Sequence, residues 1–142
     1  MNYHYIDSEI YGVDALDCGG VEGGCEGNKI SWTPETSGSL VLNGFFPVGG
    51  DAAITVSLES YWEDEHSGGF LFDDVWIIDA SQTWSARAGY ETDDWYVEAY
   101  VDNLTDEVNY DSSYDGSISY PATHWATWKP RTFGVRGGMT WE

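Results

Sequence analysis

Apolar and polar residues alternate through most of this chain, and an alternation of period two is satisfied only by extended strands. In residues 39–46, Leu40, Leu42 and Phe46 fall on one face, and Ser39, Val41 and Asn43 on the other. Residues 54–61 set Ile54, Val56 and Leu58 against Thr55, Ser57 and Glu59. Residues 77–90 set Ile78, Ala80, Trp84, Ala86, Ala88 and Tyr90 against Asp79, Ser81, Thr83, Ser85, Arg87 and Gly89, with Gln82 breaking the apolar face. Residues 95–102 set Trp95, Val97, Ala99 and Val101 against Tyr96, Glu98, Tyr100 and Asp102. Residues 132–141 set Phe133, Val135, Met139 and Trp141 against Thr132, Gly134, Arg136, Gly138 and Thr140, and residues 2–10 carry a weaker sixth segment. Gly, Thr, Ser and Asn interrupt every window that could hold a helical period. The expected fold is all-β, an antiparallel up-and-down meander of about six long strands.

The connections alternate in length. Residues 47–51 and 91–94 are tight turns, whereas residues 11–29, 62–76 and 103–129 are long. In a meander, successive connections lie at opposite ends, so every long loop falls at one rim and every turn at the other. Transmembrane β-barrels have that asymmetry, and they keep apolar residues toward lipid and polar residues toward the lumen. A soluble sandwich shares the alternation. The segments are long for soluble strands, which average about 5–6 residues, and bracket the roughly 9–11 that cross a bilayer at a tilt. Tyr61, Trp62, Tyr90, Trp95, Trp128, Phe133 and Trp141 stand near strand ends, where aromatic girdles form. The polar face carries the ionisable residues Glu59, Asp79, Arg87, Glu98 and Arg136, which are expected to face the lumen. There Arg87 and Arg136 would pair with Glu59, Asp79 or Glu98 across neighbouring strands.

Composition narrows the reading. The 142 residues make one domain at most and carry 25 Asp and Glu against 5 Lys and Arg, a net charge of −20. Phosphate neutralisation needs clustered cations, so no nucleic-acid partner is expected. Acidic disordered chains are poor in aromatics, and this one has 8 Trp and 10 Tyr. The acids concentrate in the long loops and the tight turns, leaving the apolar faces almost uncharged. No apolar run is long enough for a membrane helix. The first residues have neither the basic segment nor the apolar core of a secretory signal. His4, His66 and His124 are far apart, and no nucleophile elbow, P-loop or zinc-protease motif is present. The chain is not expected to be an enzyme, and neither a cofactor nor a resident metal is expected.

Two stretches resemble a known family. One is Ala86-Arg87-Ala88-Gly89-Tyr90, a turn, Trp95 to Val101, then Asp102-Asn103-Leu104-Thr105-Asp106-Glu107. The other is Lys129-Pro130-Arg131-Thr132-Phe133-Gly134-Val135-Arg136-Gly137-Gly138-Met139-Thr140-Trp141. Together they look like the C-terminal barrel portion of a TonB-dependent outer-membrane receptor. Tyr5-Ile6-Asp7-Ser8-Glu9-Ile10, a Cys-bearing loop, and Pro34-Glu35 ahead of Leu40-Val41-Leu42 resemble the stretch upstream. Such barrels usually finish on an aromatic residue, whereas here Glu142 follows Trp141. They have about 22 strands and a plugged lumen. The resemblance therefore implies the last six strands, residues 1–142 forming one segment, with the plug domain and the remaining strands absent from it. It implies a bacterial outer-membrane location, lipid around the wall, and partnership with the missing N-terminal strands and plug. It further implies contact with TonB through the plug region, and a ferric-siderophore-like ligand. The competing class is a soluble or oligomeric acidic β-protein that binds carbohydrate or a protein partner.

Two further sets are candidates. Cys18 and Cys25 would close a short Gly-rich outer loop by a disulfide, contributing roughly 2–3 kcal/mol by restricting the unfolded loop; the alternative is two free thiols. Trp62, Glu63, Asp64, Glu65, His66, Phe70 and Phe72, followed by Asp73 and Asp74, could bind a cation or a metal chelate; the alternative is a solvated acidic loop. Asp111, Tyr114 and Asp115 read the same way and do not match a calcium-loop spacing.

Overall fold

A computed structural model describes residues 1–12, 26–68, 77–115, 123–127 and 129–141. Among them are ten strands and no helix: β1 Asn2–Tyr5, β2 Thr36–Gly49, β3 Ala52–Glu63, β4 His66–Ser67, β5 Ile77–Ile78, β6 Ser81–Glu91, β7 Trp95–Asp102, β8 Tyr110–Asp115, β9 Thr123–Thr127 and β10 Thr132–Met139. Six of them form one sheet in the order β1-β2-β3-β6-β7-β10, every pair antiparallel. This is the meander that the alternation predicts. It is an open sheet, not a closed barrel.

Local chemistry fixes the two hairpins. Gly49 and Gly50 adopt positive φ, 114° and 63°, a region that costs glycine little. They turn β2 into β3 beside a bulge between Pro47 and Gly49. Pro47 lacks an N–H for a ladder, and β1 covers only Thr36–Ser39 of β2, so no ladder reaches it from that side. The β6–β7 turn closes on Thr92, whose N–H donates to the Trp95 carbonyl at 2.8 Å and whose hydroxyl accepts the Asp94 and Trp95 N–H groups. The three long connections all leave from the opposite end.

Two short hairpins stand at that end, β4 with β5 and β8 with β9. They alter two sequence expectations. The run expected over 77–90 breaks at Asp79 and Ala80: Ile77 and Ile78 pair with Ser67 and His66, and the wall strand starts only at Ser81. Asp79 consequently sits in an exposed connection rather than on a wall strand. The connection expected over 62–76 also starts later, because Trp62 and Glu63 remain paired with Gly38 and Ser37.

Burial follows from a single-layer sheet. Among the described residues the buried apolar side chains are Ala52, Ala53 and Ile78. Leu42, Phe46, Phe133, Val135 and Met139 are exposed.

Candidate functional site

The ladder registers sort every wall side chain onto one of two faces. Leu42, Leu58, Ala86, Val101 and Phe133 form one continuous row across five strands. Gly44, Val56, Ala88, Ala99 and Val135 form the next, and Phe46, Ile54, Tyr90, Val97 and Gly137 the one after. Tyr3 and Tyr5 of β1 share this face. Among the described wall residues it carries no Asp, Glu, Lys, Arg or His. Its polar exceptions are Ser60 and Gln82, with Gln82 Nε2 donating to Ser60 Oγ at 3.1 Å, and Thr36 at the loop end, whose hydroxyl donates to the carboxylate of Asp64 just beyond β3. Rings mark both ends of the apolar band. Trp62 and Trp84 stand toward the long loops, and Tyr90 and Trp95 toward the turns, with centroids 5.4 Å apart. From Ile54 to Trp62 the strand rises about 26 Å, or about 20 Å across a layer once tilted by roughly 40°.

The opposite face carries the charges. Arg87 Nη1 donates to Glu59 Oε1 at 2.6 Å, and Nη2 lies 3.7 Å from Asp102 Oδ1. Arg136 Nε lies 2.8 Å from Glu98 Oε1. That contact is misaligned for a hydrogen bond, so proximity rather than geometry holds it. Glu59, Arg87, Glu98 and Arg136 therefore meet on one face, whereas Asp79 lies outside the wall. Asp102 was not among the expected pairing partners, although its parity with Glu98 already placed it on this face. Tyr100 and Tyr96 lie beside Gly134 and Gly138, their cross-strand partners. A Cβ would come within 2.7 Å of the Tyr100 hydroxyl at Gly134 and 2.6 Å of the Tyr96 ring at Gly138, so the glycines make room for the tyrosines.

Among the described residues of the expected ligand-binding loop, Trp62 to His66, the side chains do not converge on one point. Trp62 lies over Gly38 on the apolar face. Glu63 accepts the Tyr61 hydroxyl at 3.0 Å and the Ser81 hydroxyl at 3.4 Å. Asp64 extends the β2–β3 ladder: its N–H donates to the Thr36 carbonyl at 2.9 Å, and its carboxylate accepts the Thr36 hydroxyl at 2.5 Å. Glu65 is exposed. His66 is buried, with Nδ1 3.0 Å from the Asp64 carbonyl oxygen. Phe70, Phe72, Asp73 and Asp74 lie outside the described residues, as do Cys18 and Cys25, and no side chain of Asp111, Tyr114 or Asp115 is described. Among the described residues no three His, Cys, Asp or Glu side chains gather closely enough to hold a metal ion.

His66 instead belongs to a satellite core at the loop end. Ile78 is 1% exposed, and Ser31, His66, Ser67 and Asn109 are buried. The Trp32 N–H donates to the Ser67 carbonyl at 2.6 Å, and β8 approaches β5. Three long connections thus meet in one place. Their rim is acidic: the Glu9 carboxylate that accepts the Tyr11 hydroxyl, with Asp7 and Glu26 nearby, raises that phenol's pKa. Lys29 is raised by its hydrogen bond to Glu35.

The strongest constellation joins the two motifs that carry the family resemblance. Asn103 follows directly after β7 with φ 52°, a left-handed conformation that Asn tolerates. Its buried amide donates to the Glu107 carbonyl at 2.8 Å and to the Lys129 carbonyl at 3.3 Å, and its Oδ1 accepts the Glu107 N–H at 3.0 Å. The Leu104 N–H donates to Trp84 of β6 at 2.7 Å. Arg131 Nη2 pairs with Asp106 Oδ2 at 3.1 Å. The turn after β7 is thereby tied both to β6 and to the segment leading into β10. No protein-family model matches this sequence, and no curated protein is significantly similar to it.

Proposed function

We propose that this chain is part of an outer-membrane active transporter of the TonB-dependent receptor kind, supplying barrel wall and outer loops. The transporter takes up a scarce nutrient such as a ferric siderophore. The observation that carries this reading is the charge-free apolar face. It spans five strands, with Leu42, Phe46, Ile54, Val97, Phe133 and Val135 exposed, and an exposed apolar patch of that extent marks a surface made to be covered. Lipid is the solvent it suits, with the charged face turned inward to a hydrated lumen. The open edges agree. Among the described residues, the outer edges of β1 and β10 have no neighbouring strand, and lipid tolerates no open edge. Further strands would complete the wall, and a plug would fill the lumen and carry the TonB contact. The three long connections would then form the outer rim of a bacterial outer-membrane protein.

Membrane extraction tests this reading. The chain is expected to stay with the membrane through a high-salt or carbonate wash and to leave it only with detergent. Recovery as a monodisperse folded protein without detergent would overturn the proposal. It would favour instead an acidic β-protein whose copies bury their apolar faces against one another.

A further inference from the structure

Among the described residues, three other than glycine adopt positive φ: Trp32 at 55°, Asn103 at 52° and Asp106 at 57°. Asn and Asp tolerate that region, whereas a bulky side chain there is an outlier that its surroundings must hold in place. Half of Trp32 stays exposed, so its ring is not sealed into a core. Its backbone N–H donates to the Ser67 carbonyl of β4 at 2.6 Å. On the N-terminal side of Trp32 the chain is tied back toward β1. The Gly27 N–H donates to the Ile10 carbonyl at 3.0 Å, the Ile10 N–H to the Asn28 carbonyl at 2.9 Å, and the Ile30 N–H to the Ser8 hydroxyl at 3.3 Å. On the C-terminal side, the Glu35 carbonyl accepts the Ile6 N–H at 2.9 Å, and β2 begins at Thr36. The β1–β2 connection is thus an arm built on its own hydrogen bonds, and the Trp32–Ser67 bond crosses from it to the β4–β5 hairpin.

We infer that Trp32 is a strained latch: its N–H closes the β1–β2 connection onto Ser67 of the β4–β5 hairpin, and its left-handed backbone drives the same contact to release. The two effects oppose each other and are of similar size, since one hydrogen bond has a modest net value and a left-handed residue with a Cβ carries a comparable cost. Opposing effects so nearly matched populate two states, and whatever favours one of them shifts the balance. In the released state Trp32 relaxes to negative φ and water takes over the Ser67 carbonyl. The packing beneath suits such opening. Ser31, His66, Ser67 and Asn109 are buried there beside Ile78, and a mostly polar interior admits water more readily than an apolar one. In the proposed function the latch lies at the outer rim, but the inference stands on the loop geometry and does not depend on that reading.

Amide hydrogen exchange of the full chain in detergent micelles, resolved by NMR, reads local opening at residue 32. Far-UV circular dichroism reads the strands. Three variants separate backbone from ring. Trp32→Ala removes the ring and keeps the strain. Trp32→Gly removes both, and Trp32→Asn keeps a side chain that tolerates the left-handed region. Protection at residue 32 is expected to rise about tenfold in Trp32→Gly over both the unaltered chain and Trp32→Ala, with Trp32→Asn between. The β3 amides, Ala52–Glu63, should keep their protection in all three. Equal or lower protection in Trp32→Gly than in Trp32→Ala would overturn the inference. So would an unaltered chain better protected than every variant, because the ring would then hold the contact. A matching rise along β3, or loss of the strand signal, would make Trp32 part of the sheet's own stability and overturn the latch as well. Membrane extraction answers the other proposal separately: a chain recovered without detergent can carry the latch, and a membrane-bound chain can lack it.

Discussion

The two faces of the sheet are built from the same strands and read opposite rules. On one, Leu42, Leu58, Ala86, Val101 and Phe133 run across five strands without a charge. On the other, one residue along each strand, Arg87 reaches Glu59 and Asp102, and Arg136 reaches Glu98. Successive side chains point to opposite faces of a sheet, so a shift of one position exchanges one environment for the other. The backbone is common to both faces, so what each position accepts is set by what its face meets.

Ser85 and Ala86 offer the largest test of that contrast. Ala86 lies midway along the apolar band, and Ser85 faces Glu59. In lipid, Ala86→Arg is expected to cost about 2–4 kcal/mol, the penalty of a cation at the midplane of a barrel wall. Ser85→Arg, at a half-buried position opposite the Glu59 carboxylate, should change stability by only about 0–1 kcal/mol. Urea unfolding of the two variants in phospholipid vesicles measures both. Equal costs would mean that the faces do not meet different solvents.

Asn103→Ala sits next in size and probes the loop end. It leaves the Glu107 N–H without its acceptor, removes the amide that reaches Glu107 and Lys129, and puts alanine at φ 52°. Glu107 and Lys129 are exposed, so water reaches the groups left behind and the lost hydrogen bonds cost about 0.5–1.5 kcal/mol, while left-handed backbone adds roughly 1–2 kcal/mol for a residue with a Cβ. Asn103→Gly removes the hydrogen bonds but not the conformation, so it should recover the backbone part. Hydrogen exchange along β10, Thr132–Met139, reads the outcome. Unchanged protection of β10 in Asn103→Ala would show that the turn does not hold that strand.

The alternation made the sheet legible because register and parity are set by the same period. Five wall strands, their order and both turns follow from it. What escaped has local causes. Asp79 and Ala80 fit the parity of β6, but Ile77 and Ile78 pair with β4 instead, and periodicity cannot tell which partner a strand takes. β8 and β9 lie in a stretch read as loop, where the alternation is too weak to separate a hairpin from a connection. The burial of His66 is not legible either, because it depends on the pairing of β4 with β5, which sets His66 opposite Ile78. Arg131 and Asp106 belong to two recognised motifs, yet their contact needs the fold to bring those motifs together.

Arg87→Met carries the smallest expected effect and tests the polar face. The Arg87 side chain keeps about a third of its surface in solvent, and Glu59 and Asp102 keep slightly more. Water can therefore solvate both carboxylates after the cation is gone, and exposed pairs contribute about 0–1 kcal/mol. The same exposure makes the pair sensitive to salt, with a screening length near 3 Å at 1 M. Stability of the unaltered chain and of Arg87→Met should accordingly converge as salt rises. Arg136→Ala belongs to the same class, and it should weaken folding or assembly more than it changes uptake. A loss of several kcal/mol in Arg87→Met that salt does not erase would mean the charged face is dry. The contrast between the two faces would then lie in how charges are paired rather than in which solvent each face meets.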